Sequence, residues 1–104
     1  MPPPYACPIE GTLDVIGGKW KIYILWGLIG GPLRYSELLA KVHGVSEKVF
    51  IQQLKALQAD GLVERTTYSE VPPRVEYALS EVGRSLVPLL DGLCEWGAAH
   101  VAGT

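Results

Sequence analysis

The chain has 104 residues, 48% of them hydrophobic, and a formal net charge of −2, which suits one domain over residues 1–104 with a single core. Its two cysteines share no metal-ligand spacing with a histidine. No apolar run approaches the roughly 20 residues that a membrane-spanning helix needs, and the first residues lack a secretory signal pattern. The composition therefore excludes a disulfide scaffold and a membrane protein, and we expect a cytoplasmic protein without a metal or cofactor.

Two helices are predicted in the first third of the chain. Residues 11–16 form a short helical segment that Gly17 and Gly18 interrupt. The next apolar residues recur at helical spacing and stop at the glycine and proline turn of residues 30–32. They are Ile22, Leu25, Trp26 and Ile29. This spacing predicts a buried helix whose aromatic side chains pack in the core or in an interface.

Residues 35–60 have the pattern of a helix-turn-helix. An apolar stripe over residues 35–42 predicts the first helix, and Gly44 allows a tight turn. Ser46 can cap a second helix that ends at Gly61, and a phosphate would be favoured at the positive end of that helix. The second helix has an apolar side with Phe50, Leu54 and Leu57, and an opposite side with Lys48, Ile51, Gln52 and Lys55. One side packs, and the other is free to contact a partner.

Two strands follow, at about residues 62–68 and 74–79, and their alternating side chains predict a hairpin. Pro72 and Pro73 at its tip cannot donate to a strand ladder, so the tip should project as a stiff loop. Helix, turn, helix and hairpin in this order predict a winged helix-turn-helix, a fold that is mainly α with a β-hairpin wing.

A last helix is predicted over about residues 80–98, with Ser80 as its cap. Pro88 lies inside it and predicts a kink. The helix has a broad apolar stripe that contains Val82, Leu86, Leu89, Leu90, Leu93 and Trp96. Because a 104-residue monomer does not readily cover so wide a stripe, we assign part of it to a dimer contact.

Charge is distributed unevenly along the chain. Residues 34–75 carry six basic and five acidic side chains, whereas residues 76–104 carry one basic and four acidic. Negative charge therefore collects away from the second helix of the helix-turn-helix, as a DNA-binding protein would tolerate, although the asymmetry is mild.

Five motifs in this order resemble those of the HxlR-type winged helix-turn-helix regulators, a MarR-like family. They are Cys7-Pro8-Ile9 with Thr12-Leu13, Ile16-Gly17-Gly18-Lys19-Trp20, Arg34-Tyr35-Ser36-Glu37-Leu38, Gly61-Leu62-Val63-Glu64-Arg65 and Val71-Pro72-Pro73-Arg74-Val75-Glu76-Tyr77. The resemblance implies a homodimer that pairs its N- and C-terminal helices and places one recognition helix of each subunit in a major groove. It also implies that a cysteine at the position of Cys7 senses oxidants or electrophiles. The chain departs from the common pattern at Ile51, where a threonine is usual, and at Glu47 and Lys48, where other polar or basic residues are frequent.

A recognition helix in a major groove would use the polar side of residues 46–60. Gln52 would meet an adenine edge, Lys48 or Lys55 a guanine or a phosphate, and Ile51 a thymine methyl group. The alternative is that this side is only solvated. We favour DNA contact for Lys48 and Gln52, and leave both explanations open for Lys55 and Gln53.

Two arginines outside the recognition helix are further candidates. Arg74 follows the stiff tip and would meet the minor groove or the flanking backbone, or else pair across the hairpin with Glu64 or Glu76. Arg34 opens the first helix of the motif, where it would bind a phosphate or form a salt bridge with Glu37.

Cys7 precedes a proline near the N-terminus, where Lys19 or Lys21 would favour its thiolate. The residues alone leave it as an ordinary buried thiol, and the resemblance favours sensing. We hypothesise that oxidation joins Cys7 of one subunit to Cys94 or Cys7 of the other.

We expect a homodimeric, sequence-specific DNA-binding transcriptional regulator that recognises a near-palindromic operator and responds to oxidation through Cys7. Two alternatives stay open: a protein-interaction module that docks a partner on its polar side, and a regulator that answers a small organic ligand at the dimer interface. The sequence has no arrangement of serine, histidine and acid or of paired carboxylates, so an enzyme is not expected.

Overall fold

The computed structural model describes residues 8–101, which form helices packed around a small antiparallel sheet. The helices are α1 (Pro8–Ile16), α2 (Lys19–Gly27), α3 (Tyr35–Lys41), α4 (Glu47–Ala59), α5 (Glu81–Arg84) and α6 (Val87–His100), and the strands are β1 (Leu33–Arg34), β2 (Val63–Tyr68) and β3 (Arg74–Leu79). This architecture confirms the predicted fold, mainly α with a β-hairpin wing. Over residues 8–101 no helix has both the length and the apolar character needed to cross a membrane.

The helix-turn-helix is formed by α3, the turn at Gly44 and α4. Gly44 has a φ of +89°, in the left-handed region that glycine adopts without strain. The side-chain oxygen of Ser46 accepts a hydrogen bond from the backbone N–H of Val49 at 3.3 Å and caps α4, as predicted. Gly61, with a φ of +76°, follows the end of α4. Both ends of α4 are therefore set by local sequence.

The sheet has the strand order β1, β3, β2. β2 and β3 pair from Val63 opposite Leu79 to Tyr68 opposite Arg74, which confirms the hairpin. β1 pairs with the other edge of β3, with Leu33 opposite Tyr77. The sequence does not predict β1, because two residues are too few to show a strand alternation.

Helix α2 lies at the centre of the core, in contact with α3, α4 and α6. The large side chains with almost no exposed surface are Ile24, Leu25, Leu28, Leu38, Phe50, Leu57 and Leu90. The helix predicted in the first third of the chain is therefore present as α2 with Leu25 buried, but it ends at Gly27 and Trp26 is 42% exposed. Since the apolar side of α4 packs on this core, its opposite side must face outward.

The C-terminal segment differs from the single kinked helix that the sequence predicts. Ser80 caps a short helix, α5, and a second helix, α6, begins at Val87. Pro88 therefore lies in the first turn of α6, where its missing N–H costs no helical hydrogen bond, and not in a helix interior. Gly83 is buried because α5 packs closely on the chain at Leu62.

Apolar side chains remain exposed on α1 and α6. Ile9 and Leu13 are one turn apart on α1 and are 60% and 57% exposed. On α6, Leu89, Leu93 and Trp96 follow helical spacing and are also exposed, while Leu90 is buried. Part of the predicted apolar stripe therefore packs within the chain, and the rest has no cover from residues 8–101.

Candidate nucleic-acid interface

The outward side of α4 carries polar and cationic side chains. Lys48, Gln52 and Lys55 are exposed and follow helical spacing, whereas Phe50 and Leu57 on the other side are completely buried. The two faces that the sequence predicts therefore differ in solvent exposure, as expected. A helix with one solvent-exposed, cationic face and one packed face is suited to insertion in a groove of DNA.

Two predicted contact residues of α4 are only partly accessible. Ile51 is half-buried and lines a groove of about 540 Å³ between α4 and the sheet. Gln53 is also half-buried. Ile51 therefore lies at the border of the exposed face, while Lys48, Gln52 and Lys55 form its centre.

Tyr35 attaches the start of α3 to the start of α4. Its hydroxyl donates a hydrogen bond to Oε2 of Glu47 at 2.9 Å, and its ring packs edge-on against Phe50 with the centroids 5.4 Å apart. Burial, followed by the hydrogen bond and the negative charge of Glu47, raises the pKa of Tyr35 to about 12. The sequence does not single out Tyr35 as more than a core residue.

Arg34 immediately precedes α3 and is exposed. The carboxylate of Glu37 accepts a hydrogen bond from the backbone N–H of Arg34 at 2.8 Å. The predicted alternative, a salt bridge between these two side chains, is wrong, because Glu37 serves as a helix cap and no ion pair of Arg34 occurs over residues 8–101. The guanidinium is left available to a partner.

Arg74, at the start of β3, is bound within the wing. Its guanidinium lies 3.4 Å from a carboxylate oxygen of Glu70 and 3.6 Å from one of Glu76, and it covers the ring of Tyr68 at 4.3 Å. The predicted pairing with Glu76 is present, although within one strand and not across the hairpin. The alternative pairing with Glu64 is wrong, because Glu64 lies opposite Ala78, far along the ladder from Arg74. Two carboxylates largely balance the charge of Arg74.

Arg65 is a candidate that the sequence does not identify. It is exposed on β2, opposite Tyr77, and lines the same groove as Ile51 and Lys55. No carboxylate lies within ion-pair distance of it among the described residues. The alternation of side chains along β2 predicts the face of the sheet on which Arg65 lies. Only the packing of the hairpin beside α4 brings Arg65 and Lys55 to the same groove.

The redox prediction is only partly covered by the described residues. Cys7 lies outside them, immediately before α1. Cys94, which the sequence places at the edge of an apolar stripe, is an exposed free thiol on α6. Residues 8–101 contain no group of three or more histidine, cysteine, aspartate or glutamate side chains that would hold a metal ion.

A family model described as HxlR-like helix-turn-helix matches residues 15–103. The chain belongs to this HxlR-like family. A curated relative in Bacillus subtilis (strain 168), named the uncharacterized HTH-type transcriptional regulator YtcD, is 52% identical over 97 residues, which cover 93% of this chain and 77% of YtcD. The family and its relatives are transcriptional regulators, which confirms the resemblance and the prediction that the HxlR-like chain is not an enzyme.

Solved structures show the same fold. The redox regulator HypR in its oxidized form is 44% identical, with a TM-score of 0.84 over 90% of this chain and 97% of HypR. A structure assigned to the MarR family of transcriptional regulators, from Porphyromonas gingivalis W83, is 35% identical, with a TM-score of 0.85 over 94% of this chain and 96% of that one. The HxlR-like chain is thus a transcriptional regulator with a MarR-like winged helix-turn-helix.

Proposed function

We propose that this HxlR-like regulator is a homodimer that binds a near-palindromic DNA operator in a sequence-specific manner. The observation that carries the proposal is the exposed face of α4, on which Lys48, Gln52 and Lys55 stand opposite a buried apolar stripe. Because its target is chromosomal DNA, the protein would act in the cytoplasm.

The proposed contacts of α4 follow from the donor and acceptor pattern of the major groove. Gln52 donates to and accepts from an adenine edge, and Lys48 reaches a guanine or a phosphate. Ile51, at the border of the face, contacts a thymine methyl group. Lys55 and the half-buried Gln53 lie further along the helix and contact the backbone.

Phosphates would be held around α4 by the N-terminus of this helix and by arginines from other elements. The capped N-terminus of α4 at Ser46 offers backbone N–H groups and the positive end of the helix dipole. Arg34 and Arg65 add cations that no carboxylate of residues 8–101 pairs with. Arg74 contributes less, because Glu70 and Glu76 already compensate its charge.

The proposed dimer uses the apolar surfaces of α1 and α6. Ile9 and Leu13 on α1 and Leu93 and Trp96 on α6 are each at least half exposed in one chain. Burying these side chains against a second copy is favourable by roughly 25 cal/mol per Å² of apolar surface. To enter successive major grooves on one side of DNA, the two recognition helices of this dimer must stand about 34 Å apart.

A redox response is proposed through Cys7. HypR, which has a similar structure, is named a redox regulator. In this chain Cys7 directly precedes α1 in the sequence, and Cys94 is exposed on α6. Two thiols, Cys7 with Cys94 or Cys7 with Cys7 of the other subunit, would lose two electrons and two protons to a diamide or peroxide oxidant and form one intersubunit disulfide. Such a bond alters DNA affinity only if it favours one dimer geometry.

The proposal is tested by selecting bound fragments from a genomic library with reduced and with oxidised protein, followed by titrations at several salt concentrations. A DNA-binding dimer enriches a near-palindromic site, and its affinity falls steeply as salt rises because phosphate contacts release counterions. Absence of enrichment would instead favour a protein-interaction module.

The disulfide is tested by non-reducing electrophoresis after treatment with diamide. We expect a band of dimer mass that Cys7→Ser abolishes. A Cys94→Ser variant separates the two pairings, because it retains the band only if Cys7 pairs with Cys7. An unchanged monomer band in the wild type would refute the redox response and leave the DNA-binding proposal intact.

A further inference from the structure

A second groove, of about 630 Å³, opens between α2 and the end of α3. It is lined by Tyr23, Trp26, Gly27, Lys41 and His43, and we call it the α2–α3 groove. None of these residues belongs to the candidate DNA interface. Tyr23 and Trp26 are large aromatic side chains that are 48% and 42% exposed, although their helix supplies the centre of the core.

The α2–α3 groove combines aromatic surface with positive charge. Lys41 is exposed at the end of α3, and His43 lies in the following turn. No carboxylate is among its described lining residues, and neither Lys41 nor His43 forms an ion pair within residues 8–101. Aromatic rings beside an uncompensated ammonium group complement a flat ring that bears an anionic group.

Local packing holds this surface in place. The ring of Tyr23 stands edge-on to Trp20 with their centroids 5.8 Å apart, so it is supported from behind. At Gly27, a Cβ atom would lie 3.3 Å from Leu38 and 3.8 Å from Lys41. The glycine therefore lets α2 approach α3 closely and places the aliphatic stem of Lys41 against the floor of the groove.

We propose that the α2–α3 groove binds a small aromatic carboxylate. The ring of the ligand packs against Trp26 and Tyr23, and its carboxylate accepts hydrogen bonds from Lys41 and His43. A volume of about 630 Å³ lies within the range of small-molecule sites. This site lies within one subunit and is separate from the apolar surfaces of α1 and α6.

The groove is connected to the turn of the helix-turn-helix. His43 belongs to that turn, and the ring of Trp20, which supports Tyr23, approaches within 3.8 Å of the position that a Cβ of Gly44 would occupy. A ligand that shifts Tyr23 or His43 therefore acts on the segment that sets the start of α4. This consequence for operator affinity rests on the proposed function, whereas ligand binding does not.

Ligand binding is tested by titrating 2-naphthoate into the ¹⁵N-labelled full chain. We expect saturable shifts of the amides of Tyr23, Trp26, Lys41 and His43. The uncharged 2-naphthamide and the non-aromatic cyclohexanecarboxylate should bind at least about fivefold more weakly, since each lacks one of the two recognition elements. No saturable shift, shifts confined to α1 and α6, or equal binding of the amide would overturn the proposal.

Two variants with the same chemical change separate this site from the DNA interface. Lys41→Gln should weaken 2-naphthoate binding at least about fivefold and leave operator affinity without ligand unchanged. Lys48→Gln should leave 2-naphthoate binding unchanged and weaken operator binding. Equal ligand affinities of Lys41→Gln and the wild type would refute the proposed binding site in the α2–α3 groove. Ligand binding by a protein that binds no operator would uphold the groove and refute the proposed function.

The connection to the turn has its own readout. In the wild type, saturating 2-naphthoate should shift the amides of Gly44 and Ser46 and change operator affinity at least about threefold, a coupling of the usual size for linked sites. In Lys41→Gln the same concentration should have little effect on either. Bound ligand with unchanged Gly44 and Ser46 amides would overturn the connection.

Discussion

The hydroxyl of Tyr35 donates a hydrogen bond to the carboxylate of Glu47 at 2.9 Å and thereby joins the first turn of α3 to the first turn of α4, the second helix of the helix-turn-helix. The same ring packs edge-on against Phe50. One side chain thus fixes the N-terminal end of α4 through a polar and an apolar contact. Because Lys48 follows Glu47 directly, the orientation of the proposed DNA-binding face depends on Tyr35.

The raised pKa of Tyr35, about 12, predicts an alkaline loss of stability. The folded protein holds this proton more tightly than the unfolded chain, so the contribution of Tyr35 is complete below pH 10 and disappears as the pH rises toward 12. We expect the urea midpoint to fall across this range, and to fall less in Tyr35→Phe. At neutral pH, Tyr35→Phe should cost about 1 kcal/mol through the lost hydrogen bond.

The matched control for this titration is Tyr68→Phe, which removes the hydroxyl of an exposed tyrosine on β2. It should keep the pH dependence of the wild type. If Tyr35→Phe and Tyr68→Phe showed the same alkaline slope, the hydrogen bond to Glu47 would not be the origin of the effect.

Substitutions on α4 should separate base recognition from backbone attraction. Gln52→Ala should cost about 1–3 kcal/mol at one adenine of the operator and little at sites that lack it, because a bidentate contact is lost. Lys48→Gln, if the lysine meets a phosphate, should weaken all sequences alike and lower the salt slope by about one. Titrations against a set of operator variants measure both. A uniform loss for Gln52→Ala would remove this residue from base recognition.

The two arginines of the wing should contribute unequally to DNA binding. Arg65→Gln should lower the salt slope by about one, because its cation is uncompensated among the described residues. Arg74→Gln should change the slope less, because Glu70 and Glu76 already lie within 3.4 and 3.6 Å of that guanidinium. Affinity measured at several salt concentrations gives both slopes. A larger change for Arg74→Gln would show that the wing releases Arg74 to bind DNA.

A charge on the apolar surface of α6 should dissociate the proposed dimer. Leu93 is 50% exposed in one chain, so Leu93→Glu should leave the fold intact while placing an unpaired carboxylate in the contact. The dimer dissociation constant should rise at least about 100-fold. Sedimentation and circular dichroism measure the two effects. Val71→Glu, on a fully exposed residue of the wing tip, is the control and should remain dimeric. A dimeric Leu93→Glu would place the contact elsewhere.

Gly83 should be intolerant of a side chain. A Cβ atom there would collide with the backbone carbonyl of Leu62, so Gly83→Ala should cost about 1–3 kcal/mol of unfolding free energy. Gly92→Ala, in α6, meets no atom within 4 Å and should be neutral or stabilising by up to about 1 kcal/mol. Chemical denaturation of both variants measures the difference. Equal stability of the two would mean that α5 can move away from Leu62.

The sequence by itself determined the elements whose signals are local. Gly44, the capping Ser46 and Gly61 set the limits of α4, and the spacing of Phe50, Leu54 and Leu57 shows its packed side. The hairpin and its tip follow in the same way from alternation and from prolines. These features need only neighbouring residues, so the winged helix-turn-helix and the centre of its exposed face were predictable.

Tertiary structure alone decided the features that depend on distant residues. β1 exists because Leu33 and Arg34 pair with the free edge of β3. The C-terminal segment forms two helices and not one because α5 must approach Leu62 closely at Gly83. Whether an arginine side chain has a carboxylate partner likewise depends on the tertiary structure around it. Helical and strand periodicity gives the direction of a side chain, but its partner depends on which elements pack together, and that packing is set by the whole core.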